Sequence, residues 1–260
     1  MDLNLKNKVA VVTGSSKGIG YSIAKDFLLE GAIVAICARN EKDLIESYKK
    51  LSEYGEVYYK VIDATKDTEL YEFAEDIYKK YGSINCWVNN VGAVVNKKGN
   101  EFSKDEIDST VNICFNSVVY GCQAAFRYMK ESGGSIVNIS SLAARCATAG
   151  RSTLYGPLKS AVVSLSVMYA AEYSAYGIRV NSVLPGFTMT PKVKETISQQ
   201  ELDYNINNTL IRRMGTVEDI SSAVVFLSSD KASYITATSL EISGGRNVVL
   251  NPSFSYENKK

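Results

Sequence analysis

Short apolar runs rich in Val and Ile alternate along this chain with longer stretches whose apolar residues recur at helical period, and few folds accept such an alternation. The short runs, at 9–13, 33–37, 57–62, 86–89, 135–139, 179–184 and 239–242, have strand length. Between them lie helical patterns at 18–30, 41–54, 67–81, 106–131, 155–176 and 217–229. Repeated strand–helix–strand units pair their strands in parallel and cover both faces of the sheet, which suits runs so uniformly apolar. The pattern predicts an α/β fold, a doubly wound parallel sheet of about seven strands with helices on both faces. No linker, charge block or repeat divides the chain, and 45% hydrophobic content can fill one core. A single domain over 1–260 is therefore expected. The stretch 190–214, rich in Gln, Asn and Thr, is the least regular and is the candidate substrate lid.

Composition removes several classes of function. With 29 basic and 28 acidic side chains, a formal net charge of +1, the chain has no overall field to gather nucleic acid or an anionic membrane surface. No apolar stretch approaches the ~20 residues that cross a bilayer, and residues 1–8 lack the apolar core of a signal peptide. Neither nucleic acid nor membrane is an expected partner, and a cytoplasmic location is the expectation. Cys37, Cys86, Cys114, Cys122 and Cys146 are widely spaced and form no Cys-x-x-Cys pair, so they read as reduced, small hydrophobes. The complete absence of histidine excludes a Ser-His-Asp triad, a Cys-His pair and any His-ligated metal. No metal is expected, and proton chemistry must fall to Tyr, Lys, Asp, Glu or Cys.

The first apolar run leads directly into Thr13-Gly14-Ser15-Ser16-Lys17-Gly18-Ile19-Gly20, and a helical pattern follows at once. Glycine lets a backbone turn sharply and approach a pyrophosphate, whose charge is met by free N–H groups at the helix N-terminus. Gly14, Ser16, Lys17, Gly18, Ile19 and Gly20 are thus candidate cofactor-binding residues. Their spacing is Gly-x-x-x-Gly-x-Gly, distinct from the common Gly-x-Gly-x-x-Gly fingerprint. Thr13-Gly-x-x-x-Gly-Ile-Gly resembles the short-chain dehydrogenase/reductase family, and the resemblance extends over roughly residues 5–245. It implies a Rossmann fold that carries a nicotinamide dinucleotide.

Which dinucleotide is argued from the end of the second run, Ile36-Cys37-Ala38-Arg39-Asn40. NAD sites commonly place a carboxylate there for the ribose hydroxyls, whereas Arg accommodates a 2′-phosphate. Arg39 stands beside the missing carboxylate and Lys17 adds a second cation, so NADP(H) is expected, with NAD(H) as the alternative. By resemblance, Asp63 and Ala64 flank the adenine. Asn90 and Gly92 belong to Asn89-Asn90-Val91-Gly92, similar to the family's Asn-Asn-Ala-Gly with a bulkier Val91. The segment from Pro185 and Gly186 to Thr190 resembles the loop that holds the nicotinamide amide through the Thr188 backbone and the Thr190 hydroxyl.

Tyr155-Gly156-Pro157-Leu158-Lys159 sets a phenol and an ammonium on one helical face in adjacent turns. A free phenol titrates near ~10, and a neighbouring cation is expected to lower that value toward working pH. Pro157 is tolerated only in a first turn, which predicts that the helix begins within a few residues before Tyr155. Tyr-x-x-x-Lys alone carries little information in a chain with 17 tyrosines. Its company is Gly134-Ser135-Ile136-Val137-Asn138-Ile139-Ser140-Ser141, which resembles the family segment bearing the catalytic serine. Ser141 matches that position, with Ser140 one residue away as the alternative. Asn112 matches the family's fourth catalytic residue, there holding a water in a proton relay through Lys159. Tyr155 and Lys159 are also expected to touch the cofactor.

These residues imply an enzyme that moves a hydride between NADP(H) and a small-molecule carbonyl or secondary alcohol, with Tyr155 as acid/base. A 3-oxoacyl-carrier-protein reductase is an alternative. Ser132 and Tyr176 stand where its carrier-docking arginines would be, although Arg127, Lys130 and Arg151 could contribute. A dinucleotide-binding regulator without turnover would be expected to lack Ser141, Tyr155 or Lys159, and all are present. The resemblance further implies a homotetramer, or at least a homodimer, packed through helices 106–131 and 155–176.

Overall fold

The computed structural model describes residues 2–93, 99–147 and 152–259. Strands β1 (Val9–Thr13), β2 (Ile33–Ala38), β3 (Val57–Val61), β4 (Cys86–Asn89), β5 (Gly134–Ile139), β6 (Ile178–Pro185) and β7 (Ser239–Ile242) form one sheet. Its order is β3-β2-β1-β4-β5-β6-β7 and every neighbouring pair is parallel. The chain reverses its direction of travel between β1 and β4, and the crevice beyond the carboxyl ends of those strands is where such sheets bind ligands.

Period-two alternation divides each central strand between two cores. Val9 and Val11 face a core closed by α3 (Asp67–Tyr81), α5 (Ser117–Met129) and α6 (Tyr155–Tyr173), with Phe73, Cys122 and Val162 among its members. Ala10 and Val12 face the other, closed by α1 (Gly18–Leu29), α2 (Glu41–Leu51) and α9 (Val217–Ser228), which contribute Phe27, Leu44 and Val224. A buried polar chain runs through the first core. Trp87 Nε1 donates to Asn89 Oδ1 at 2.8 Å, Asn89 Nδ2 to Asn138 Oδ1 at 2.8 Å, and Asn138 Nδ2 to the Ser166 hydroxyl at 2.9 Å. Polar side chains this deep are tolerated because each is satisfied, and together they fix α6 against β4 and β5.

Two segments depart from the sequence expectation. The stretch 106–131 is not one uniform helix: α4 (Lys104–Val111) and α5 are joined by a π-helical turn, Asn112–Asn116. A π turn inserts a residue without breaking the helix, so the apolar period on either side gives no warning of it. Residues 190–214 are more regular than expected and hold α7 (Pro191–Thr196) and α8 (Gln199–Asn207). Ser198 and Glu201 form a capping box at the start of α8, a local signal outweighed in the sequence by the polarity of the stretch. A last short helix, α10 (Phe254–Glu257), follows the sheet. Among the described residues no helix is long and apolar enough to cross a membrane.

Candidate active site

The glycines of the first turn are there for two physical reasons. Gly14 and Gly18 have φ of 63° and 61°, a region costly for a side chain. At Gly20 a Cβ would overlap the carbonyl oxygen of Gly14. Asn90, just after β4, braces the same turn: its Nδ2 donates to the carbonyls of Thr13 and Gly14 at 3.1 and 3.0 Å. Lys17 caps α1 without a side-chain hydrogen bond, so first-turn N–H groups remain available to an anion. Val91, bulkier than the residue it replaces, lies 3.1 Å from where a Cβ on Gly14 would sit, and the glycine makes room for it.

These groups open on a cavity of about 970 Å³ at the strand reversal. Every residue expected to touch the cofactor lines it. Ser16, Lys17, Gly18, Ile19 and Arg39 stand at one end, Asp63 and Ala64 lie beside them just after β3, and Asn90 and Gly92 follow β4. At the far end stand Tyr155 and Lys159, with Pro185, Gly186, Thr188 and Thr190 from the loop after β6. Thr188 N–H makes no hydrogen bond among the described residues, while the Thr190 hydroxyl oxygen accepts from Val193 N–H as the cap of α7. A dinucleotide fits this shape: a glycine cradle and open helix terminus for the pyrophosphate, cations at one end, and a Tyr–Lys pair at the other.

Helix α6 begins at Tyr155, so Pro157 falls in its first turn, where a missing N–H removes nothing. Lys159 is buried and its Nζ donates to the Ile139 carbonyl at 2.9 Å, which ties the helix to the end of β5. Burial pulls the Lys159 ammonium below its ordinary pKa. Tyr155 is half-buried, and burial pushes its phenol up to about 12, opposed by the Ser141 hydroxyl. The expectation that the lysine charge lowers the phenol pKa therefore needs correction. Desolvation wins, the offsetting contact is the serine, and Lys159 Nζ stands 5.9 Å from the Tyr155 ring centre.

Ser140 and Ser141 are separated by what their hydroxyls do. Ser140 is buried and donates to the Lys159 carbonyl at 2.8 Å. Ser141 lines the cavity, accepts from Ala143 N–H at 3.1 Å and draws the Tyr155 pKa down. Only Ser141 is free to face a substrate.

Asn112 is not brought to this group. It is exposed at the start of the π turn, and its Oδ1 accepts from Asn116 Nδ2 at 2.6 Å. The π turn points Cys114 inward in its place. That thiol is fully buried, donates to the Ala93 carbonyl at 3.1 Å, and lies within electrostatic reach of Tyr155 and Lys159. Cys114 escaped the sequence analysis because a buried cysteine in an apolar run resembles ordinary core. Asp43 was missed as well: it lines the cavity and pairs with Lys17 at 2.8 Å. Of the cations weighed for carrier docking, Arg127 is exposed and stacks over the Tyr71 ring at 3.7 Å, Lys130 is exposed, and Arg151 lies outside the described residues.

The family profile described as Enoyl-(Acyl carrier protein) reductase matches residues 14–247. The chain is 32% identical over 249 residues to a 3-oxoacyl-acyl-carrier-protein reductase of Chlamydia pneumoniae, a match covering 94% of this chain and 99% of the relative. It is 35% identical over 251 residues to a tropinone reductase homolog of Arabidopsis thaliana, covering 94% and 92%. Among solved structures it is similar to a 7α-hydroxysteroid dehydrogenase complexed with NADH and 7-oxo-glycochenodeoxycholic acid. That match has a TM-score of 0.90 and 29% identity, covering 96% of this chain and 98% of the other.

Proposed function

The chain belongs to the short-chain dehydrogenase/reductase family, and from that premise we propose an NADP(H)-dependent oxidoreductase that interconverts a small-molecule carbonyl and its secondary alcohol. The observation that carries the proposal is that Ser141, Tyr155 and Lys159 line one cavity together with the glycine turn, with the Ser141 hydroxyl near enough to Tyr155 to draw its pKa down. When bound, the nicotinamide supplies or accepts the hydride. Tyr155 holds the proton: burial keeps the phenol neutral, so it acts as a donor to a carbonyl oxygen in reduction. Ser141 donates to the same oxygen and steadies charge that develops there. Lys159 is held by Ile139 and orients the cofactor's ribose side, while Gly92 leaves room for its ammonium. Lys17 and Arg39 are the groups we assign to the 2′-phosphate.

A carbonyl and alcohol panel followed by nicotinamide absorbance, with NADPH and NADH in parallel, tests this reading. NADPH-preferring turnover supports it, and a clear NADH preference removes the cofactor assignment. A second reading, reduction of a 3-oxoacyl group on an acidic carrier, is favoured by similarity to the Chlamydia pneumoniae reductase. The same panel separates the two if it includes a 3-oxoacyl thioester on carrier and the free thioester. We further propose a cytoplasmic homotetramer or homodimer, with the α4–α5 and α6 surfaces as its contact; Val167 and Met168 of α6 are 43% and 58% exposed in the single chain. Sedimentation as a monomer at micromolar concentration would contradict that assembly.

A further inference from the structure

Although β2 ends without a carboxylate, the fold brings one to the adenosine end of the cavity from α2. Asp43 Oδ2 lies 2.8 Å from Lys17 Nζ, and both residues line the cavity beside Arg39 and Asn40. The pair sits in a frame. Asp43 N–H donates to Asn40 Oδ1 at 2.9 Å, which fixes the aspartate in the first turn of α2. The Ser47 hydroxyl donates to the Ser16 carbonyl at 2.5 Å, which ties α2 to the glycine turn one residue before Lys17. Arg39, by contrast, has no ion-pair partner among the described residues.

We propose that Asp43 is a specificity-determining residue that holds the Lys17 ammonium and competes with a 2′-phosphate for it. This rests on the NADP(H) reading above. A phosphate oxygen bonded to Lys17 at about 2.8 Å would lie within about 6 Å of the Asp43 carboxylate, close enough for like-charge repulsion to count. Neutral ribose hydroxyls meet no such repulsion and can donate to the same carboxylate. Asp43 thus narrows the preference that Lys17 and Arg39 would otherwise set. The Lys17 and Asp43 side chains are 61% and 31% exposed, so salt screens the effect without abolishing it.

The test is calorimetric binding of adenosine 2′,5′-bisphosphate and 5′-AMP, which needs neither nicotinamide nor turnover. Asp43→Asn keeps the backbone N–H bonded to Asn40, and Asp43→Ser is a second variant if the first melts early. In either variant the bisphosphate/AMP affinity ratio rises about tenfold at low salt and less at high salt. In a Lys17→Met background the same substitution gains less than about threefold, because the ammonium it would release is gone. An unchanged ratio, or an undiminished gain without Lys17, overturns the proposal. If the wild-type protein binds AMP more tightly than the bisphosphate, the NADP(H) reading fails, while the effect of Asp43 on the ratio is still measured.

Discussion

The Lys159 ammonium donates to the Ile139 carbonyl at 2.9 Å, so the helix bearing the phenol is pinned by its own lysine to the end of the central strand β5. From the other side the ammonium is bounded by Gly92, where a Cβ would stand 2.7 Å from Nζ. The lysine is therefore confined between strand and loop, and its neighbours can be altered one at a time.

Gly92→Ala is the most local of these changes. The obstructing atom is the end of a flexible side chain, so the fold can absorb the methyl by moving the ammonium away from Ile139. Thermal unfolding is expected to shift by less than about 4 °C, while kcat falls by at least about tenfold. Loss of both properties together would mean that Gly92 serves the loop and not the lysine.

The neighbouring serines should separate by type of damage. Ser141→Ala removes the hydroxyl facing Tyr155 and the cavity, and a loss of about 10²–10³ in kcat is expected. Ser140→Ala removes the buried bond to the Lys159 carbonyl, costing about 1 kcal/mol of stability with a smaller change in kcat. Steady-state kinetics and urea unfolding of both variants check the assignment, and the opposite pattern would exchange the two roles.

Asn112 and Cys114 make a similar pair. Asn112→Ala alters an exposed side chain and should leave kcat/KM within about twofold. Cys114→Ala frees the Ala93 carbonyl beside the lysine and should lower kcat more than Asn112→Ala does. The reverse ordering in steady-state assays contradicts the placement of the π turn.

Alkaline stability follows from the thiols. Burial raises Cys37, Cys86 and Cys122 from an ordinary 9.0 to about 12. Between those values the unfolded chain binds fewer protons than the folded one, so unfolding free energy falls as pH rises. Each thiol contributes a slope of up to about 1.4 kcal/mol per pH unit, and below pH 9 the penalty is absent. Urea midpoints that decline steadily from pH 9 to 11 are expected; midpoints that stay level would show these thiols to be accessible.

Much of the sheet was legible because Val- and Ile-rich strands flanked by helical periods leave few arrangements, and the observed strands lie within a residue or two of the apolar runs. The glycine turn, Tyr155 and Lys159 were legible because their spacing is local. What stayed hidden depends on contacts distant in sequence. Asp43 reaches the cavity only because α2 folds back on the glycine turn, and the π turn exchanges Asn112 for Cys114 with no change in residue type to announce it. The pKa of Tyr155 was misjudged for a related reason: sequence spacing shows the lysine, whereas the burial that outweighs it is a property of the assembled site.

The proton-donor role of Tyr155 is tested most directly by Tyr155→Phe, measured as single-turnover oxidation of NADPH with an active carbonyl substrate beside calorimetric binding of NADPH. A fall in the transfer rate of at least about 10³-fold with the dissociation constant within about threefold is the predicted result. A variant that still turns over within about tenfold of wild type would contradict the role given to the phenol.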